Sequence, residues 1–421
     1  MTPILHHILR RAFGRIVHRG SLTLIAPSGL RMSFGDGTGE PVTVRLTDKR
    51  AVLALLTDPD MRLGELYMDE RFVVEQGSIY DFLHLMLREA QNRSHPLPAR
   101  LIDRVRASLR RFRLRNLPTR SKRNVAHHYD LDGRLYSLFL DADRQYSCAY
   151  FQHEGQSLEE AQAAKKRHII AKLRIEPRHK VLDIGSGWGG LACSIAEAGA
   201  AEVRGVTLSE EQLAYARARP KGEAEGHVHF DLTDYRAVRG RFDRIVSVGM
   251  FEHVGVGSYG AFFRTCHRLL ADDGVMLLHT IGCSAEPGFT TPWLDKYIFP
   301  GGYIPSLSEI LPEIERAGLF VTDVEVLRLH YALTLRSWRK RFLARRNEAR
   351  DLYDERFCRM WEYYLAAAEV AFRCEDLVVF QIQLARRNDT LPMTRDYIGR
   401  AEQAPTAAVR APDMPALKQA S

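Results

Sequence analysis

No apolar run among the 421 residues reaches the ~18–20 that a membrane-crossing helix requires, so a helical span is not expected. The first twenty residues interleave arginines and histidines with their apolar positions, unlike a signal peptide. Cysteine is sparse and unpatterned. Cys148, Cys193, Cys266, Cys283, Cys358 and Cys374 form no C-x-x-C pair and have no histidines at metal-ligand spacing. Neither a bound metal nor a disulfide framework is therefore expected, and reduced thiols in a cytoplasmic chain are the simplest reading. Acid is the minority charge: 52 Asp and Glu against 60 Lys and Arg leave a net +8, which favours an anionic partner, phosphate-bearing lipid or nucleic acid.

What is present falls into two parts, as the length suggests. Residues 1–20 have the spacing of a short basic amphipathic helix, and strands are expected at 21–26, 30–34 and 42–46, followed by helices near 49–56 and 79–91. Residues 1–95 thus read as an accessory α+β domain without a catalytic constellation. A basic helical linker fills 96–125, where Leu101, Val105, Leu109 and Phe112 recur at helical spacing and Arg100, Arg104, Arg106, Arg110, Arg111 and Arg113 occupy much of the rest. From 126 to 400 helix and strand alternate as a parallel sheet flanked by helices requires, with five strands at 180–184, 202–208, 228–231, 243–248 and 274–280. The tail at 401–421 has few large apolar residues and is expected to be disordered.

The first of those strands runs into a glycine turn, Val-Leu-Asp-Ile-Gly-Ser-Gly-Trp-Gly-Gly at 181–190. Gly185, Gly187 and Gly190 satisfy the dinucleotide pattern G-x-G-x-x-G, but such a site also needs an acid at the end of the second strand, about 20 residues on. Here that strand ends on Thr207. The acid lies instead at Asp183, before the turn, and Gly189 is an extra glycine. Both features resemble the first motif of class I S-adenosylmethionine (SAM) methyltransferases. The fold expected is therefore α/β, a Rossmann-like doubly wound sheet with its ligand at the carboxyl ends of the strands.

Other strand ends add chemistry. Thr207 and Gln212 open the next helix, where they can hydrogen-bond ribose hydroxyls, while Ser209 and Gln212 also fit a helix cap. Tyr235 follows the third strand, in position to flank a purine. Glu252, in Phe-Glu-His-Val-Gly at 251–255, delivers a carboxylate at the end of the fourth. His279 ends the fifth; by itself, a strand histidine is more often a satisfied core residue.

These residues belong to a larger pattern. His-Tyr-Asp-Leu at 128–131, Gln-Tyr-Ser-Cys-Ala-Tyr-Phe at 145–151, Leu-Glu-Glu-Ala-Gln at 158–162, the glycine turn, Leu-His-Thr-Ile-Gly at 278–282, Lys-Tyr-Ile-Phe-Pro-Gly-Gly at 296–302 and His-Tyr-Ala-Leu-Thr-Leu at 330–335 occur in order. From about 120 to 395 the chain resembles the cyclopropane-fatty-acyl-phospholipid synthases, relatives of the mycolic acid cyclopropane synthases. The resemblance implies an enzyme that adds the SAM methyl carbon across a cis double bond of an acyl chain, through a carbocation deprotonated by bound bicarbonate. It implies catalytic roles for Cys148, Glu252, His279 and Tyr331, and SAM contacts from Tyr146, Ser147, Asp183, Gly185, Gly187, Gly189, Thr207, Gln212 and Tyr235. Its partners would be unsaturated phospholipids at the inner face of the membrane, reached from the cytoplasm, with no nucleic acid; a homodimer is compatible with it. Basic segments at 99–115 and 336–346 are the candidates for that contact; 99–115 reads equally as an interdomain helix with a solvated arginine face, and Trp338 and Phe342 equally as headgroup-depth or core residues.

One departure stands out: where many relatives carry a cysteine after Tyr-Tyr-Leu, this chain has Ala368. The olefin is itself the nucleophile, so the reaction class survives that loss. A methyl-branched product, a small-amine N-methyltransferase and a non-catalytic lipid-binding protein remain open alternatives.

Overall fold

The computed structural model describes residues 3–88, 132–219, 222–288 and 290–403. The basic segment at 99–115, the rest of the 96–125 linker and residues 128–131 lie outside the described residues.

The N-terminal part opens with helix α1 (Pro3–Ile16), whose Leu9 and Phe13 are buried, while Ile4 and Ile8 are 72% and 43% exposed. Four short strands follow, β1 (Ser21–Ile25), β2 (Arg31–Phe34), β3 (Pro41–Leu46) and β4 (Phe72–Gln76), in the order β2-β1-β3-β4. Between β3 and β4 stand α2 (Lys49–Thr57), capped by the Asp48 carboxylate, and α3 (Pro59–Met68), which starts on a proline. Helix α4 (Ile79–Leu87) begins with a capping box from Ser78 and Asp81. The sequence expectation missed α3 and β4.

The larger part is a seven-stranded sheet. Its elements are α5 (Gly133–Phe139), α6 (Leu158–Leu173), β5 (Lys180–Ile184), α7 (Gly190–Glu197), β6 (Glu202–Thr207), α8 (Glu210–Ala218), β7 (Val228–Leu232), β8 (Phe242–Val248), α9 (Tyr259–Leu269) and β9 (Leu270–Cys283). Then come α10 (Pro292–Tyr297), α11 (Leu307–Arg316), β10 (Phe320–Leu327), α12 (His330–Ala344), α13 (Arg346–Leu352), α14 (Glu355–Cys374), β11 (Leu377–Ala385) and α15 (Asp396–Gln403). The order is β10-β11-β9-β8-β5-β6-β7, with β9 through β7 parallel and β11 antiparallel to both neighbours. The chain reverses direction across the sheet between β5 and β8. That is the switch point where open α/β sheets bind ligands.

The expected five strands all form, and β10 and β11 extend the sheet on the β9 side. Helix α15 carries the ordered chain past 401: His168 in α6 lies between Glu402 (2.6 Å) and Glu325 on β10 (2.7 Å). Residues 404–421 lie outside the described residues.

Both parts share a core. Helix α14 packs on α3 and α4, the Tyr67 and Tyr363 rings are 6.2 Å apart, and Lys296 and Tyr297 bond Glu65. Trp338 and Phe342 of the 336–346 segment belong to that core and not to headgroup depth. Trp338 and Phe342 are fully buried, and Arg339, Arg341, Arg345 and Arg346 pair with Glu369, Glu159, Glu348 and Glu355. The helix buries its apolar face inward, so its aromatic rings cannot reach a headgroup layer.

Candidate active site

A cleft of about 1160 Å³, counting its open mouth, lies at the carboxyl ends of β5, β6 and β8. Eight of the nine residues expected to hold the cofactor line it: Tyr146, Ser147, Asp183, Gly185, Gly187, Thr207, Gln212 and Tyr235. Gly189 is the exception. It stands at the start of α7 with φ +86°, where an added Cβ would come within 2.7 Å of the Phe230 ring, so it serves packing of the turn against β7. Gly190 is needed for a different reason: the Asp143 carboxylate and the Gln145 amide occupy the space of its missing side chain. Asp143 is held there by Lys166 and Arg219, placing a carboxylate at the N-terminus of α7.

The turn spends some of its own amides. Gly185 N–H and Ser186 N–H both donate to Val206 O (2.9 and 3.0 Å), and Gly189 N–H closes on Ser186 O (3.0 Å). At the end of β6, Thr207 Oγ1 donates to Gln212 Oε1 (3.1 Å) while Ser209 caps α8 by accepting from Gln212 N. Cap and ligand readings therefore coexist: Gln212 lines the cleft with its NH₂ still able to donate. Tyr235 packs edge-on against Phe262 (5.3 Å) and forms the far wall. Burial pushes the Asp183 carboxyl up to about 7, opposed by nearby Lys165, and its Oδ2 has no partner.

Sequence reasoning missed Arg144. Its guanidinium lies over the rings of Tyr215 (4.2 Å) and Trp188 (5.1 Å) at the cleft wall, in a backbone of φ +54°. The preceding Asp143 gives no local hint of that stacking, which pairs residues far apart in the chain.

The four expected catalytic residues do not line this cleft: Cys148 follows the lining residue Ser147 and Glu252 stands between Met250 and His253, while His279 and Tyr331 lie on β9 and α12, which contribute no lining residue. Glu252 sits in the turn after β8, where Oε1 accepts from Ile281 N–H on β9 (2.7 Å) and Oε2 is buried without a partner. Burial raises its carboxyl to about 7. His279 on β9 faces Gln381 on β11, with the Gln381 amide 3.1 Å from Nδ1, and its Nε2 is buried without a partner. Burial, with Lys165 nearby, holds that imidazole well below its ordinary range. Glu252 and His279 have separate protein partners. Cys148 is buried, its thiol bonded to Ala149 O (3.3 Å) and pushed up by burial, so it is no thiolate nucleophile. The next amide, Ala149 N–H, donates to Thr334 Oγ1 (3.0 Å) on α12, one turn after Tyr331.

Aromatic rings continue from the cleft into the core. Tyr146 packs on Trp338 (5.2 Å), Trp338 on Tyr331 (5.8 Å) and Tyr331 on Phe372 (4.8 Å). Tyr146 OH meets Tyr364 OH (3.1 Å), and Tyr364 packs on Phe299 (5.7 Å). Ala368 is half-buried on the same helix, one turn after Tyr364.

Residues 117–382 match the mycolic acid cyclopropane synthetase family. The chain belongs to this family. It is 38% identical over 348 residues to the cyclopropane-fatty-acyl-phospholipid synthase of Escherichia coli, covering 82% of this chain and 88% of that one. It is 41% identical over 280 residues to the tuberculostearic acid methyltransferase of Mycobacterium tuberculosis, 63% of this chain and 65% of that one. Among solved structures, mycolic acid cyclopropane synthase CmaA1 complexed with SAH and CTAB aligns with a TM-score of 0.58 at 35% identity, over 62% of this chain and 97% of that one. The chain is accordingly an enzyme with the class I SAM-dependent methyltransferase fold.

Proposed function

We propose that the enzyme transfers the methyl carbon of SAM to the cis double bond of unsaturated phospholipid acyl chains and closes a cyclopropane. The observation that carries this is the continuous packing of aromatic rings from the cofactor cleft inward through Tyr146, Trp338 and Tyr331. An acyl chain is uncharged and needs apolar walls. The π-electrons of its olefin attack the sulfonium methyl, the C–S bond breaks to leave S-adenosylhomocysteine, and a carbocation forms on the acyl chain. Ring faces stabilise that cation without being alkylated as readily as a strong base would be. Loss of a proton from the transferred methyl closes the ring.

Glu252 protonated on Oε2 and His279 with its proton on Nε2 are two hydrogen-bond donors in a dry setting. Such a pair suits the oxygens of a small anion, and bicarbonate held there would supply the base for the last proton. Glu252 and His279 would hold such an anion, with Tyr331 on α12 and the Cys148 segment, tied to α12 through Ala149 N–H and Thr334, completing the site.

For the membrane contact we look to α1, which carries no acid and displays Ile4 and Ile8 among Arg10, Arg11 and Arg15. An anionic phospholipid surface, visited from the cytoplasmic side, matches that face. A second product has its own support in Ala368 and in the methyltransferase relative: the same cation can lose a chain proton and give a methyl-branched lipid. Liposomes of cis-monounsaturated phospholipid, SAM and enzyme decide between them by mass spectrometry. A gain of CH₂ that resists hydrogenation is expected; one that takes up hydrogen establishes the branched product, and no gain overturns both.

A further inference from the structure

Helix α6 buries a lysine that no step above uses. Lys165 has no solvent exposure, and its ammonium donates to Gln145 Oε1 (2.6 Å) and Ser147 Oγ (2.8 Å). One turn earlier on the same face, Gln162 Nε2 donates to the backbone carbonyls of Gln145 (3.2 Å) and Ser147 (3.0 Å). Gln145 and Ser147 both line the cofactor cleft. A single helix therefore holds this wall by its main chain and by its side chains.

The charge pattern makes the arrangement unusual. Among the described residues no carboxylate lies within ion-pair distance of Lys165, and burying an ammonium without one is costly. Its surroundings are Asp141 and Asp143 in the loop before the wall, Cys148 on the wall, Asp183 on β5, His279 on β9 and Lys166 on its own helix. Asp143 is already bound by Lys166 and Arg219. Burial raises Asp141 to about 6 and Asp183 to about 7, which reduces the negative charge available to balance the lysine. The hydroxyl geometry matters as much. A serine oxygen that accepts from an ammonium must send its own proton elsewhere, and Ser147 lines the cleft.

We propose that Lys165 is a positioning residue that fixes the Ser147 hydroxyl as a donor into the cleft and, with its charge, selects the carboxylate of the cofactor's amino-acid end. The inference rests on the SAM reading and locates that end at the 145–147 wall. The lysine acts from behind the wall, through Ser147 and Gln145, and touches neither reacting carbon.

Two nucleoside ligands separate this role from a structural one. S-adenosylhomocysteine carries the carboxylate; 5′-methylthioadenosine lacks the amino-acid end. In calorimetric titrations Lys165→Met should weaken S-adenosylhomocysteine tenfold to a hundredfold and leave methylthioadenosine within about twofold. Ser147→Ala should share that selective loss, and the double variant should lose little more than either alone. In the wild type, S-adenosylhomocysteine affinity should fall as pH rises through about 8, the value to which burial lowers Lys165. That decline should vanish in Lys165→Met. Equal loss of both ligands, or unchanged S-adenosylhomocysteine binding, overturns the proposal. If Lys165→Met does not fold, Ser147→Ala and the wild-type pH profile decide. Failure of the wild type to bind either ligand would instead strike the SAM reading itself.

Discussion

Replacing Glu252 by glutamine should make the protein more stable at alkaline pH and at the same time nearly inactive. The carboxyl accepts Ile281 N–H on one oxygen and leaves the other dry, and burial lifts it from an ordinary 4.5 to about 7. That difference is worth about 3 kcal/mol between the protonated and ionised forms. The sign follows from linkage: a carboxyl whose folded value is raised favours the native state fully below its unfolded value, and that advantage is lost as pH rises from about 4.5 to about 7. Above pH 7 the wild type carries a buried anion; glutamine keeps the acceptor for Ile281 N–H and never ionises. Urea unfolding should find the two proteins within about 1 kcal/mol at pH 5 and Glu252→Gln about 3 kcal/mol more stable at pH 8. Asp183, shifted the same way, is present in both and cancels in the comparison. Turnover on unsaturated liposomes should drop about a hundredfold, because a glutamine NH₂ still donates a hydrogen bond but cannot exchange a proton with the bound anion as a carboxyl does. A variant less stable than wild type at pH 8, or one that keeps wild-type turnover, would refute the reasoning.

Gly190→Ala should weaken S-adenosylhomocysteine at least tenfold in calorimetry, because its new methyl displaces Asp143 and Gln145, and Asp143 is tied to Lys166 and Arg219; unchanged affinity contradicts this. Gly64→Ala puts a Cβ into the Trp293 indole at the junction of the two parts, and should cost about 1–3 kcal/mol, seen as a lower Tm. An unshifted melting curve would show that the indole moves freely. Replacing Ile4 and Ile8 together by serine should lower co-sedimentation with anionic liposomes without changing the Tm, since both side chains are exposed. Wild-type sedimentation should also fall with added salt, and indifference to both changes would remove α1 from the membrane surface.

The β5 to β9 core was legible because its strands are short apolar runs and its turns are glycines, both local signals. Strands β10 and β11 were not. Much of β10 is exposed at the sheet edge, and β11 places Gln381 and Gln383 inside an apolar run. Those glutamines have tertiary employment: Gln381 meets His279, and Gln383 meets Tyr397 and the Lys172 carbonyl. No local pattern announces that. Lys165 was hidden for the converse reason, since Lys-Lys-Arg at 165–167 reads as a solvated helix face, yet its first residue is fully buried. The ion pairs of the arginines at 336–346 were not legible either, because the acids at 159, 355 and 369 lie on other helices and only Glu348 is a local partner.

Adjacent tyrosines on α14 explain why the first 95 residues are more than an appendage. Tyr363 faces Tyr67 of α3 and packs edge-on against Trp293 (4.7 Å), whereas Tyr364 turns to Tyr146 at the cofactor cleft. On the same side Arg356 and Arg359 bind Asp69 and Glu70. Moving α14 away from α3 would therefore carry Tyr364 with it and open the wall against which an acyl chain would lie. Removing residues 1–95 strips Tyr363, Trp293 and their neighbours of partners, and each buried aromatic ring laid bare costs about 2–3 kcal/mol. The truncated chain is expected to bind a hydrophobic dye and to lose turnover on liposomes. Its failure should be in acyl transfer before cofactor binding, because no residue of α3 or α4 lines the cleft that the glycine turn, Thr207 and Tyr235 form. A truncated chain that stays dye-free and turns over at the full-length rate would show that α14 holds its place unaided.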